Sequence, residues 1–315
     1  MSPLLRYSPF LLALVVACST GEAPIPVHLD SAPVVTFEEV DPSTPGALYV
    51  GFDRRLEPKE NVRIYLPLLR YLERKTSLRF KLRLPAPGAT VVDEVGNGNV
   101  QFAIVGPLTY LQAHEEHGVE PLVRGLNQQR RGEYRASIIV APSSQVHNVA
   151  DLRRRRFAFG SPTSTQGHLI PRIMLHQARV PLAELASFEF AGSHVESADA
   201  VLSGRCDAAA VQDTLARSLE TRGLVRIIAM SDAYPSSGIV VGPGVDASVR
   251  STVRAALLEF DPEGRDAAGL YHWDRSEMPG GFAAAEDRDY ENLRSWAFRL
   301  GVLERKRSAM SRGKP

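Results

Sequence analysis

Apolar and polar positions fall into two successive runs of alternating strand and helix signals. In the first, Ala47 to Phe52 is a short continuous apolar run, as in a strand buried on both faces, and Val62 to Leu72 repeats its apolar residues at helical spacing. Arg70, Arg74 and Lys75 crowd towards the end of that helix, where cations complement the dipole. Leu78 to Leu84 then alternates strictly, predicting a strand with one wet face, and a short helix near Thr90 to Val95 and a strand at Val100 to Val105 follow. The pattern restarts with strands at Ala136 to Ala141 and Arg156 to Gly160 around a short helix at Val149 to Arg153. A helix from Thr165 to Ala178, a strand at Ser187 to Phe190, a helix at Ser197 to Leu202 and a strand at Cys206 to Val211 complete the second run. Val225 to Ala229 and Gly238 to Gly242 read as later strands, and helical stretches near Ala247 to Phe260 and Glu286 to Leu300 end the fold. Such alternation predicts an α/β protein of two lobes, each a mostly parallel sheet flanked by helices. The expected division is 46–134 for the first lobe, 135–232 for the second and 233–303 for the return to the first.

The ends differ in character. Arg6 closes a short positive segment and Phe10 to Ala17 is an apolar run of signal-peptide length, too short to cross a bilayer. Val15-Val16-Ala17-Cys18-Ser19 resembles the lipobox of bacterial lipoproteins, which implies cleavage after residue 17, lipid on Cys18 and an exported chain, periplasmic or at the cell surface, anchored to the membrane. The stretch 18–45 carries Pro24, Pro26, Pro33, Pro42 and Pro45 and suits a tether. No other apolar stretch is long enough to span a membrane. The tail, 304–315, is basic and without periodicity, as a frayed, solvated end would be.

Composition narrows the function classes. The 315 residues carry 37 basic and 36 acidic side chains, a net charge of +1, so no bulk field draws nucleic acid and any anion selectivity must be local. The second cysteine, Cys206, begins an apolar run, which reads as a buried thiol and not a redox or metal site. No cofactor or metal is expected: His114 and His117 lie three apart but fit a solvated helix face. There is no Gly-x-Ser-x-Gly elbow, His-Glu-x-x-His or phosphate-binding P-loop, and no catalytic residue is assigned.

Candidate chemistry lies in two turns that each follow a buried strand and open a helix, the place where open parallel sheets bind small ligands. In Gly106-Pro107-Leu108-Thr109-Tyr110 the glycine permits close backbone approach and the proline suits the first helical position, leaving other amides to point ahead of the helix. In Gly160-Ser161-Pro162-Thr163-Ser164-Thr165-Gln166-Gly167, four hydroxyls and an amide stand where a helix presents unpaired N–H groups and partial positive charge. Taken alone, such hydroxyls serve equally as helix caps.

The stretch Phe157 to Pro171 resembles the signature of the phosphonate, phosphite and phosphate solute-binding proteins, the PhnD-like family. Gly106-Pro107 with Tyr110, Gly132-Glu133-Tyr134, Ala191-Gly192-Ser193-His194 and Gly204-Arg205-Cys206-Asp207 match it in order, over about 46–245. The resemblance implies a type II periplasmic-binding-protein fold that captures a small tetrahedral oxyanion and delivers it, as a monomer, to an ABC transporter permease. It implies donors from Thr163, Ser164, Thr165 and Gln166, a phenol from Tyr134, an imidazole from His194, and contributions from Gly106, Tyr110 and Asp213. The chain departs from the pattern at Gln166 for the third hydroxyl, at Ser161 for an aspartate, and at Pro87-Gly88 where a tyrosine is expected. Asp213, one position off, is the sole acidic residue in the stretches expected to hold an ammonium, which points away from aminoethylphosphonate towards a smaller or uncharged-tail oxyanion. Two other readings are an oxyanion sensor that presents its ligand to a membrane receptor or histidine kinase, and an enzyme on a binding-protein fold.

Overall fold

The computed structural model describes residues 46–53, 58–85 and 88–304. The expected leader and tether over 1–45, with Cys18, and also Pro87 and the basic residues beyond Glu304 lie outside the described residues. The first stretch runs β1 (Ala47–Phe52), α1 (Pro58–Thr76), β2 (Arg79–Leu82), α2 (Val91–Gly96), β3 (Phe102–Val105), α3 (Pro107–His117) and β4 (Glu120–Gly125). After the two-residue β5 (Glu133–Tyr134) come β6 (Ala136–Val140), β7 (Arg156–Phe159), α4 (Ile170–Gln177), β8 (Ser187–Phe190), α5 (His194–Leu202), β9 (Ala208–Gln212), α6 (Asp213–Thr221) and β10 (Arg226–Met230). The chain returns through β11 (Tyr234–Pro235) to β12 (Gly238–Val241), α7 (Ala247–Leu258), β13 (Phe282–Ala284) and α8 (Glu291–Arg299).

These strands form two principal sheets, ordered β13-β4-β12-β3-β1-β2 and β10-β6-β9-β7-β8. The centre of each is parallel: β1 lies between β2 and β3, and β7 between β8 and β9. The returning strands run the other way, with β12 antiparallel to β3 and β4, and β6 antiparallel to β9 and β10. Each sheet is therefore mixed, its parallel part built by helical crossovers and its antiparallel part by the strands that carry the chain between lobes. The crossings pair with each other, β5 against β11 with Tyr134 opposite Tyr234.

Each lobe has a packed interior. In the first, Phe52, Ile64, Leu68, Leu69, Phe102 and Ile104 are almost wholly buried; in the second, Ile138, Ile139, Phe157 and Phe159 are. The apolar run at Cys206 is placed as expected, with the thiol buried and its pKa pushed up mainly by that burial. The last helix ties the lobes together. Tyr290 beside α8 stacks on Tyr110 of α3 at 4.7 Å between ring centroids, while Arg172 of α4 donates to the Leu300 carbonyl at 3.0 Å and the His176 ring meets Trp296 at 5.4 Å.

Besides the two-residue β5 and β11, three elements were absent from the sequence expectation. β4 contains Pro121 and only Leu122 and Val123 as apolar side chains, α6 buries only Ala216 and Leu219, and β13 is three residues long. Each is too short or too polar to carry a periodic signal, and each is held by neighbours distant in sequence.

Candidate functional site

The carboxyl ends of β1, β3, β7 and β9 open on one cavity of about 440 Å³. The first lobe lines it with residues around Asp53 and Gly106 and along α1 and α2; the second lines it with the turn after β7, the start of α5 and the end of β9.

The turn after β7 explains its own sequence. Gly160 N–H donates to the Gly167 carbonyl at 2.8 Å, folding the loop back so tightly that a Cβ on Gly167 would stand 2.9 Å from both the Gly160 Cα and the Ser164 Oγ. Ser164 Oγ accepts the Gly167 N–H at 2.8 Å, and the Ser164 carbonyl accepts from His168 at 3.1 Å and from Leu169 at 3.2 Å, so the helix opens with a wide π-type turn over Thr165–Leu169 before α4. Turns of this kind often stand at functional sites. His168 closes the loop from beneath, its Nδ1–H donating to the Pro162 carbonyl at 2.7 Å and its ring packed on Phe159 and Phe190. Burial holds its pKa below the ordinary value, against the upward pull of the Pro162 carbonyl and with the help of the Arg172 charge.

The hydroxyls of this turn are oriented, not merely present. A hydroxyl has one donor and two acceptor positions. Ser164 accepts from Gly167, and Thr165 accepts the Leu108 N–H of the first lobe at 2.9 Å, a buried bond across the cleft. Each oxygen thus has a lone pair engaged by an N–H group, and among the described residues neither O–H has an acceptor. Thr163, Gln166, Tyr134, His194 and Gly106 also line the cavity. Gln166 is 5% exposed and its Nε2 donates to the Arg135 carbonyl at 2.9 Å, so one of its two N–H donors is engaged by the crossing strand. His194 is the first residue of α5, behind Ser193, whose side chain accepts the Glu196 N–H.

Tyr110 and Asp213 do not line the cavity. The Tyr110 phenol points to the other side of α3, donating to Asp287, and burial together with that carboxylate pushes its pKa far up. Asp213 begins α6 one residue beyond the lining Gln212, and desolvation raises its pKa. The expected use of free amides at the start of α3 also changes: Gly106 N–H donates to the Asp53 carboxylate at 2.8 Å and Leu108 N–H to Thr165, so the carboxylate and hydroxyl occupy that helix end.

Other lining residues escaped the sequence reading. Thr109, 3% exposed, lines the cavity, and its Oγ1 has no hydrogen-bond partner among the described residues. Asp53 and Glu277 bring two carboxylates, with Ser237 donating to Glu277, which removes the reason for setting ammonium-bearing ligands aside. Asp53 follows β1 directly and was within reach of the rule that sites form at strand ends; Glu277 lies in irregular chain far from any motif. Asp207, at the end of the Gly204–Asp207 motif, pairs with Arg156 at 2.8 Å.

His114 donates to the Val119 carbonyl at 2.8 Å, His117 stands beside Glu116, and no cluster of metal-ligating side chains occurs among the described residues.

Two α/β lobes with a cavity at the strand ends define a type II periplasmic binding protein, and comparison with known proteins agrees. Residues 50–290 match the model of the family described as ABC transporter, phosphonate, periplasmic substrate-binding protein, and the chain belongs to that family. It is similar to the phosphate-import protein PhnD of Mycolicibacterium smegmatis, 25% identical over 255 residues, covering 73% of this chain and 78% of the relative. Among solved structures it resembles PhnD1 from Prochlorococcus marinus in complex with methylphosphonate, with a TM-score of 0.71 at 18% identity over 82% of this chain and all of that one. A binding protein component of an ABC phosphonate transporter from Pseudomonas aeruginosa gives a TM-score of 0.67 at 17% identity, covering 81% of this chain and 86% of that one. No helix among the described residues is long and apolar enough to cross a membrane.

Proposed function

We propose that this chain captures a tetrahedral phosphorus oxyanion in its cavity and delivers it to the permease of an ABC importer, held at the membrane by lipid on Cys18 and working as a monomer. In this reading residues 1–17 are the leader, 18–45 the tether, 46–134 with 233–303 the first lobe, 135–232 the second and 304–315 a solvated tail. The observation that carries it is the pair of oriented hydroxyls, Ser164 and Thr165, each accepting a backbone N–H, both lining the cavity and neither O–H with an acceptor among the described residues. An oxyanion supplies several strong acceptors, and hydrogen bonds to a charged acceptor are roughly twice as strong as neutral ones. Thr163, Tyr134 and His194 add donors around it, and the helix start behind Ser164 adds partial positive charge. Donors that are mainly neutral hold the anion and still release it, as delivery requires.

Calorimetric titration of the purified chain with phosphate, phosphite, methylphosphonate and sulfate tests this. Saturable binding of at least one phosphorus oxyanion is expected, and a chain that binds none of them does not have this function.

A further inference from the structure

The outer edge of the second lobe has an apolar and a basic part, and neither serves the cavity. β8 is the last strand of its sheet, and Phe188 and Phe190 alternate onto one face of it, 44% and 40% exposed although both rings contact Phe159. Edge strands are normally blunted by charge or covered, because an open apolar edge invites association. Beside these rings lies a run of arginines, Arg153 to Arg156. It is fixed against the chain that leads into β8: Arg154 N–H donates to the Glu184 carbonyl at 2.7 Å, the Arg155 carbonyl accepts from Ala186 at 3.0 Å, and Arg156 stands opposite Ser187, the neighbour of Phe188. Arg154 holds the left-handed region at φ 59°, an uncommon place for a residue with a side chain, and the Arg153 guanidinium donates to the Arg179 carbonyl at 2.5 Å.

All of these arginines are exposed. Glu184 pairs with Arg153 and Asp207 with Arg156, whereas Arg154, Arg155 and Arg179 form no ion pair among the described residues. Glu189, on the other face of β8, is paired with Arg205. Even with Asp151, whose carboxylate accepts the His147 and Asn148 N–H groups, five arginines (Arg153 to Arg156 and Arg179) meet three carboxylates, on a chain whose net charge is only +1.

These two parts together select a partner. Guanidinium groups form forked hydrogen bonds with phosphate oxygens, and apolar rings sink into the boundary between lipid head groups and acyl chains, so a plane of anionic phospholipid satisfies both. A second copy of the chain would bring the same excess of cations and neutralise none of it. The family is periplasmic and serves a transporter, so the chain works beside a membrane. We propose that this edge, Phe188 and Phe190 with Arg153 to Arg156 and Arg179, docks the second lobe on an anionic lipid bilayer, independently of any lipid on the N-terminal segment and of the ligand in the cavity.

The test places a thiol on the edge itself. In the full-length chain carrying Cys18→Ser and Cys206→Ala, Ser187→Cys puts a thiol at an exposed position of β8, and Ser251→Cys puts one on the exposed side of α7 in the first lobe as a control. Each is reacted with a membrane-impermeant maleimide in excess vesicles, either of phosphatidylcholine alone or of one-third phosphatidylglycerol in phosphatidylcholine. Each arginine beside an anionic surface contributes a factor of about five to partitioning, so Ser187→Cys is expected to react about tenfold or more slower on the anionic vesicles than on the neutral ones. Ser251→Cys is expected to react at one rate on both. Salt at about 0.5 M screens the charges and restores the fast rate of Ser187→Cys. Arg154→Glu, Arg155→Glu and Arg179→Glu together restore it at low salt, and the salt arm stands by itself should that variant not fold. One rate for Ser187→Cys on both kinds of vesicle overturns the proposal, as does slowing that persists in high salt. Equal slowing at Ser187→Cys and Ser251→Cys overturns it as well, since the contact is then not with this edge. Slowing that deepens with protein concentration in the absence of vesicles assigns the edge to a second copy and overturns the lipid surface.

Discussion

Thr165 performs two tasks with one oxygen. It accepts the Leu108 N–H across the cleft and, in the proposed complex, donates its proton to the ligand. Thr165→Val leaves a buried N–H unpaired and removes the donor, and should weaken oxyanion binding by about 1–3 kcal/mol in calorimetry, while Thr165→Ser recovers most of the loss. Thr109 separates binding from folding more cleanly. Its hydroxyl is bonded to none of the described residues, so Thr109→Val should leave the thermal midpoint nearly unchanged and still lower affinity by about 1 kcal/mol if the ligand is its partner. Equal affinity in that variant excludes Thr109 from the head-group site. The contrast also shows what could be read from the chain. Ser164 and Thr165 stand in a hydroxyl-rich turn before a helix, a local pattern, and both line the cavity. Tyr110 stands beside an equally legible turn but points away from it, because rotation about α3 carries the next residue from the cavity side to the α8 side. One residue of helical phase separates Thr109 from Tyr110, and boundary errors of that size are inherent in reading periodicity.

At the level of elements, the turn between β7 and α4 depends on His168. Its neutral ring bridges Pro162 and the Phe159–Phe190 pair, and burial favours the uncharged form. With the folded pKa below the unfolded value of 6.5, the unfolded chain takes up the proton first as pH falls. The stability this gives is complete above about pH 6.5 and is lost as pH drops below that towards the lowered folded value. The chain should therefore lose more thermal stability than His168→Gln between about pH 7.5 and pH 5.5, since glutamine can still donate to Pro162 but does not titrate. Parallel profiles would mean that the ring acts by packing alone. Elements with a sustained pattern, such as β3, β6 and α7, were legible because burial on regular faces leaves a period in the sequence. β4 and α6 were not, because their places are fixed by β12 and by β6, β9 and β10, partners that local sequence does not announce.

For the molecule as a whole, the question is what joins the lobes and what lets them move. The crossings meet in the two-residue ladder of β5 and β11, a short link of the kind that absorbs hinge rotation. Two other links span the cleft: the buried Leu108–Thr165 bond, and α8, which rests on α3 and reaches α4 through Arg172 and Trp296. Binding-competent closure lowers the apparent dissociation constant in proportion to its population, so a tether that limits opening raises affinity without touching the ligand. Spin labels at exposed Arg74 of α1 and Ser218 of α6, in a Cys206→Ala background, report the distance between lobes. Saturating methylphosphonate should shorten and narrow that distance distribution. Arg172→Ala and Trp296→Ala should broaden it in the free chain towards longer separations, and weaken binding a few-fold, while leaving the saturated distance close to that of the parent. A distribution that is the same with and without ligand, in the parent and in both variants, would mean that the lobes form one rigid body and that ligand enters through local movement at the cavity rim.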